Sequence, residues 1–341
     1  MTTTPTATRR RTPAPHRLST TLLGLVLPLA VLASSATVAL SWREQLPDPV
    51  ATHWDAAGNV DGFGSLAASV TVPLAIGAVL AVGFWLVGWF LGQSASNRRM
   101  AGGVSAGTAT FLGATMLGTL AVQRGLDDAA QASDVGAAIA VALGAGLVVG
   151  VLVGLVAPRD ARQPAEGPVS PTDPRASLGA DERAAWIRTA RGGPGMAVAG
   201  AAVVGTLALV VVTGLWWMIL LPVVLGLVMA SMMSWTVTVD ASGLEVRSAL
   251  GVPRTFVPLD EVEGAREVTV DPFREFGGWG WRAGRGGRVG IVVRKGPGLE
   301  VRRTGGRVLV VTVDDAAAGA ALLTSLADRA RVGRPAGPAA R

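Results

Sequence analysis

The chain sets long uncharged apolar stretches between short polar ones, then changes rhythm near residue 234. A helix needs about 20 apolar residues to cross the hydrocarbon of a bilayer. Residues 18–42, 69–92, 101–122 and 135–157 meet that length. A fifth apolar block covers 196–233, which at about 1.5 Å per residue is too long for one crossing. Thr213 and Gly214 lie near its middle, so it predicts two short spans joined by a tight turn, the second kinked at Pro222. The pattern therefore predicts six transmembrane helices, the first retained rather than cleaved as a leader.

From residue 234 the period becomes two. Trp235, Val237 and Val239 alternate with threonine and aspartate, and a turn follows at 240–243. Further runs at 244–247, 254–257, 262–270, 289–294, 299–303 and 307–313 bring the expectation to seven short strands. Residues 314–331 predict a closing helix with Ala318, Leu322, Leu323 and Leu326 on one side. The fold class expected is an α-helical membrane protein carrying a small β-rich domain. Its parts are a tail (1–17), a four-helix membrane domain (18–157) with an outer loop (43–68), a linker (158–195), a two-helix hairpin (196–233), the β-rich domain (234–332) and a second tail (333–341). The linker is rich in proline and charge and reads as flexible. Within it, 181–190 predicts a short surface helix carrying Trp186 and Ile187.

Charge orients the spans. One set of loops holds twelve arginines, the other only Arg43 and Arg124. The arginine-rich side is cytoplasmic, which makes the chain a multi-pass protein of the bacterial plasma membrane with both termini in the cytoplasm. Trp42, Trp85, Trp89 and Trp235 fall near span ends, where interfacial anchors belong. The excess of Arg over Lys, with abundant Ala, Gly and Val, has the bias of a GC-rich bacterial genome.

Composition also excludes. There is no cysteine, so disulfides and thiolate metal sites are ruled out. Only His16 and His53 are present, which removes a multi-histidine metal centre, and no cofactor is expected. No predicted span contains an ionisable side chain, which counts against an ion-coupled carrier. A passive pore or transporter subunit lined by Ser105, Thr108, Thr115 and Thr119 stands as the alternative to a binding protein. Gly146, Gly150 and Gly154 share one helix face, as do Gly103 and Gly107. Such ladders allow close helix approach, either between two copies of the chain or within one bundle.

The loop after the first span reads REQLPDPVATHWDAAGNVDGFGSLAA. Pro47, His53, Trp54, Gly58 and Asp61 in it match a pattern of a Leu-Pro pair, a His followed by an aromatic, then Gly and Asp. Through these residues, over about 28–82, the chain resembles the domain of unknown function 1648, found in bacterial membrane proteins related to the SdpI immunity proteins. Ala51 stands where that pattern often has proline. The resemblance implies a membrane protein of that group and no particular reaction. Two readings of the loop follow from its chemistry. His53, Asp55 and Asp61 offer at most three ligands to a divalent metal. Alternatively Asp55 and Asn59 build Asx turns, Gly58 and Gly62 supply positive φ, and Trp54 lies at the interface. Pro47, His53, Trp54, Asp55, Gly58 and Asp61 are the candidate residues for an extracytoplasmic peptide or ligand. A catalytic role for His53 with Ser65 or Ser69 lacks a recognisable oxyanion sequence.

Seven strands closed by a helix look like the bacterial pleckstrin-homology fold. The segment Phe276-Gly277-Gly278-Trp279-Gly280-Trp281-Arg282 also resembles the C-terminal part of actinobacterial relatives of that family. Between Arg274 and Arg307 there are nine basic residues against two acidic ones, a local +7 that exceeds the +6 of the whole chain. Basic residues near an anionic leaflet are worth about 1 kcal/mol each. Trp279, Trp281, Arg282, Arg285 and Arg288 are thus expected to dock the domain on anionic inner-leaflet lipid or an acidic protein partner. The alternative is a solvated glycine-rich hairpin whose tryptophans pack on the sheet. Membrane tethering disfavours nucleic acid as a partner. The expectation is a non-enzymatic envelope sensor, scaffold or immunity factor.

Overall fold

The computed structural model describes residues 15–179, 181–284 and 288–332. Helices α1 (Arg17–Thr21) and α2 (Leu27–Ser41) are joined through a π-helical turn, Leu22–Val26, into one rod. A two-stranded hairpin follows, β1 (Val50–Trp54) against β2 (Val60–Gly64). Three more apolar helices form the bundle: α3 (Leu66–Leu91), α4 (Ala95–Ala121) and α5 (Gly136–Val156). Ser65 and Ser94 start α3 and α4 by accepting the amide protons of Ala68 and Asn97, which fills backbone donors that a helix start leaves open. Helices α6 (Pro194–Thr213) and α7 (Leu220–Met233) come last.

Among the described residues five rods are long and apolar enough to cross a membrane. Helix α7 has only 14 residues. With the 3-10 turn Trp216–Ile219 before it, the segment extends about 29 Å, close to a hydrocarbon thickness. The break between α6 and α7 lies where the sequence placed it, with Gly214 at φ 69° ending α6. Pro222 does not kink a span: it sits in the first turn of α7, where its missing N–H is not needed. Helix α4 begins six residues earlier than its hydropathy predicts and so includes Arg98 and Arg99.

Helices α4 and α5 meet backbone to backbone. A Cβ on Gly103 or Gly107 would stand 2.7 Å from the carbonyl oxygen of Gly150 or Gly146, and one on Gly146 or Gly150 would meet Gly107 or Gly103 as closely. Both ladders are thus used inside one bundle. Gly154 is looser, at 3.7 Å from the Arg99 carbonyl.

The C-terminal region is two packed sheets and a helix. The first sheet has the order β3-β4-β5-β6, with β3 (Trp186–Arg191), β4 (Ser234–Asp240), β5 (Gly243–Ser248) and β6 (Arg254–Pro258), all antiparallel. The second is ordered β7-β10-β11-β9-β8, with β7 (Val262–Val270), β8 (Gly280–Ala283), β9 (Arg288–Val292), β10 (Gly296–Arg303) and β11 (Arg307–Thr312). Strands β9 and β11 run parallel. The inner faces supply one core, including Trp235, Val237, Leu244, Val301 and Val311, closed by Leu322, Leu323 and Leu326 of a C-terminal helix. A short helix, α8 (Pro272–Phe276), covers the other face of the second sheet, and α9 (Ala316–Val332) is the closing helix. Gly284 and Gly290 leave room there for the Phe276 ring, which a Cβ would meet at under 3 Å.

Four expectations are corrected here. Among the described residues the two sheets hold nine strands rather than seven, because β8 and β3 were not foreseen. Residues 186–191 are a strand, not a surface helix: Trp186 is buried and donates its indole N–H to Asp315, while Ile187 faces out. The linker is not loose, since the amides of Ala165, Ser170 and Ala176 donate to the carbonyls of Asp260, Glu263 and Ala321. Proline keeps such a strap extended, and the exposed edges of the domain satisfy its backbone. Trp235 is no interfacial anchor but is fully buried between the sheets.

Candidate functional site

Helix α4 links two polar sites, one at each end. At the hairpin end, Gln123 lies just past the helix and is fully buried. Its carbonyl oxygen accepts the amide proton of Ala51 at 2.7 Å, and its side-chain N–H₂ donates to the Ala51 carbonyl at 3.0 Å and to Thr119 at 2.8 Å. A primary amide has one acceptor and two donors in a plane, so it can replace a missing neighbouring strand along β1. This contact holds the hairpin against the bundle beside Val50, Val70, Met116 and Leu120.

The hairpin places the sequence candidates as follows. His53 and Asp61 face each other across the strands, with Nδ1 of the imidazole hydrogen-bonded to Oδ1 of the carboxylate, and both are solvent-accessible. Gly62 permits this, because a Cβ there would lie 2.8 Å from that of His53. Asp55 does not join them. Its Oδ1 accepts the amides of Ala57 and Asn59 at 2.8 and 2.9 Å, closing the turn. Those bonds, led by the one from the Asn59 backbone, hold its carboxyl below the usual 3.8. Gly58 has φ 85° in the turn and rests against Asp134, ahead of α5. The Trp54 indole N–H is buried without a partner among the described residues. Pro47 borders a shallow notch with Asp48, Phe63, Asp127 and Asp128. Among the described residues no three His, Asp or Glu side chains gather as a metal site would require. Ser65 caps α3 and Ser69 donates to the Ser65 carbonyl, so neither hydroxyl meets His53. Ser105, one of the hydroxyls expected to line a pore, instead donates to the Gly24 carbonyl.

At the sheet end, Arg98 is almost fully buried and donates to Asp160 at 2.9 Å. Asp160 also accepts the amide of Ala95, the first residue of α4, a favourable place for a negative charge. Arg307 approaches the same carboxylate at 3.6 Å and pairs with Glu261 at 3.1 Å. Glu261 pairs with Arg303 at 2.6 Å and accepts the Gln163 amide at 3.0 Å. Burial first, and then the neighbouring Arg307, pull the Arg303 guanidinium below the usual arginine range. This chain of charges ties α4, the segment after α5, and strands β10 and β11 into one unit.

The basic loop differs from its expectation. Trp281 is buried and sets its ring edge-on to Trp235 at 5.5 Å, so it is not free to enter a membrane. Trp279 is partly exposed, packs on Phe273 at 4.7 Å and lies against Gly195 at the start of α6. Arg288 pairs with Glu275 and Glu300 and lies over the Phe276 ring. Arg285 falls outside the described residues. The local +7 is largely answered by acids from other segments: Asp314 for Arg294, Asp271 for Lys295, Asp173 for Arg302, Glu261 for Arg303. Of the described members, Arg274 and Arg282 alone have no carboxylate partner.

Sequence reasoning missed Gln123, Asp160 and Glu261. A lone glutamine at the end of an otherwise apolar span was the available signal for the first. The two acids carry none, because their partners lie over 60 and over 40 residues away in the chain.

Comparison with known proteins bears on the hairpin region. Residues 29–77 match the model of the family described as domain of unknown function (DUF1648). The match covers the second half of the first rod, the hairpin and the start of α3. No curated protein and no solved structure matches the chain. The chain is a membrane-embedded protein in which one segment, residues 29–77, matches the DUF1648 model and the C-terminal part is β-rich.

Proposed function

We propose that the chain is a non-enzymatic relay or scaffold of the bacterial plasma membrane. Six helices cross, both termini are cytoplasmic, the β1–β2 hairpin faces outward and the sheets lie beneath the inner leaflet. The hairpin meets an extracytoplasmic peptide or ligand through its exposed His53–Asp61 pair. The Phe273–Trp279 pair beside α6, with Arg274 and Arg282, meets anionic lipid or an acidic partner. The resemblance to the SdpI immunity proteins makes toxin protection or signal relay the natural setting, and the closing helix α9 supports the pleckstrin-like reading of the sheets.

One observation carries this reading. Helix α4 is gripped at both ends by buried polar contacts, Gln123 to Ala51 at one and Arg98 to Asp160 at the other. A single rigid helix of about 40 Å therefore joins the hairpin to the sheets. Its faces are locked to α5 by the glycine contacts, so a displacement at one end is carried to the other. Hydrogen exchange on the full chain in nanodiscs tests it. Gln123→Leu should raise exchange at Ala51 and also around residues 160–163 and 303–307. Faster exchange confined to the hairpin would show that the ends are independent and defeat the relay.

A further inference from the structure

A cleft of about 450 Å³ opens where the sheets meet the helix bundle. Its bundle wall is the turn at Ser94–Ser96, which ends α3 and begins α4. Its sheet wall holds Arg254, Phe256, Arg303 and Arg307, and Arg162 comes from the strap. The charges do not balance. Arg98, Arg162, Arg254, Arg303 and Arg307 face three carboxylates, Asp160, Asp260 and Glu261, leaving two positive charges over.

The donors are unequally used. The three carboxylates are taken up by Arg98, Arg162, Arg303 and Arg307. Arg254 is exposed on β6, the edge strand of the first sheet, and makes no ion pair among the described residues. The Arg303 Nε is buried with no hydrogen-bond partner among the described residues. A guanidinium offers five donors in a fixed fork that matches phosphate oxygens. Beside them Phe256 leaves an apolar ring half exposed at the cleft. The cleft lies level with the ends of two apolar helices, the depth at which lipid headgroups begin.

We propose that this cleft binds the phosphate of an anionic phospholipid, with Arg254 and Arg303 as its donors and Phe256 against the glycerol or acyl carbons. The site differs from the Trp279 surface, and it rests on the helices crossing a bilayer, not on the relay. A bound lipid would neutralise one of the two spare charges and fasten the sheets to the bundle.

The test uses the purified full chain in mild detergent, with its thermal midpoint followed on adding phosphatidylglycerol, phosphatidylcholine or inorganic phosphate. Phosphatidylglycerol should raise the midpoint and phosphatidylcholine should not. Arg254→Gln, an exposed position, should weaken the response about tenfold, the value of one charge-assisted hydrogen bond. Equal effects of the two lipids, or a full response from Arg254→Gln, would overturn the site. Stabilisation by inorganic phosphate at the same concentration as the lipid would show a soluble-anion site and overturn the lipid assignment.

Discussion

The two ends of helix α4 are held by different chemistry. At the hairpin end the grip is a neutral amide, buried among apolar side chains and matched donor for acceptor. At the sheet end it is a relay of charges, Arg98 to Asp160 to Arg307 to Glu261 to Arg303. The first kind of contact is indifferent to salt and acid. The second depends on every member, because buried charges are tolerated only while paired. A chain that must hold one element passively and leave another open to a charged ligand would divide its contacts this way. The amide end fixes geometry, and the ionic end can be tuned by what binds near it.

That contrast can be broken by removing a member of each grip. Glu261→Ala should have the largest effect, because it takes the shared carboxylate from the buried Arg303 and Arg307 guanidiniums. Losing one partner of a buried pair costs about 3–5 kcal/mol, read as a lower unfolding midpoint of the β-rich part in urea. A loss under about 1 kcal/mol would place the network among exposed ion pairs of little worth. Gln123→Leu should cost less, about 2 kcal/mol, since it leaves the Ala51 amide and carbonyl buried without partners. Its effect should be the same at low and high salt, and a salt-dependent loss would erase the distinction between the two ends. The smallest effect belongs to the hairpin turn. The Asp55 carboxyl titrates below 3.8 in the folded hairpin, so its contribution is complete above that pH and is lost as pH falls through the lower folded value. The Asn59 amide resonance should therefore hold steady above pH 3.8 and shift only below it. A shift at higher pH would mean the carboxylate does not hold the turn.

How much of this was readable in the sequence depended on how far apart the partners lie. The rods, the break at Gly214, seven of the strands and the closing helix come from local hydropathy and spacing. The DUF1648 segment came from Pro47, His53, Trp54, Gly58 and Asp61, whose pattern is equally local. What failed needed distant partners. Trp186 and Ile187 look amphipathic as a helix until β4 is there to pair with. Trp281 looks free until Trp235 covers it. The +7 of the basic stretch was a count within a window, and its counter-charges come from residues 160 to 314. Hydropathy set the start of α4 too late, because it penalises Arg98 without knowing that Asp160 neutralises it. Gln123 was missed because an amide declares its role only when a strand edge comes beside it.

The place of β3 in the first sheet has a consequence for biosynthesis. Strand β3 leaves the ribosome before α6 and α7, and β4 leaves after them, yet the two pair along their whole length. On the six-span reading proposed above, the apolar hairpin goes out and comes back before the sheet can close. A nascent chain that inserted α6 and left α7 behind would strand β3 and β4 on opposite sides of the bilayer. Trp186 and Trp235 would then have no core to enter, and such a chain would present its apolar strands to quality-control proteases. On that reading, closure of the sheet would act as a proofreading step on membrane topology.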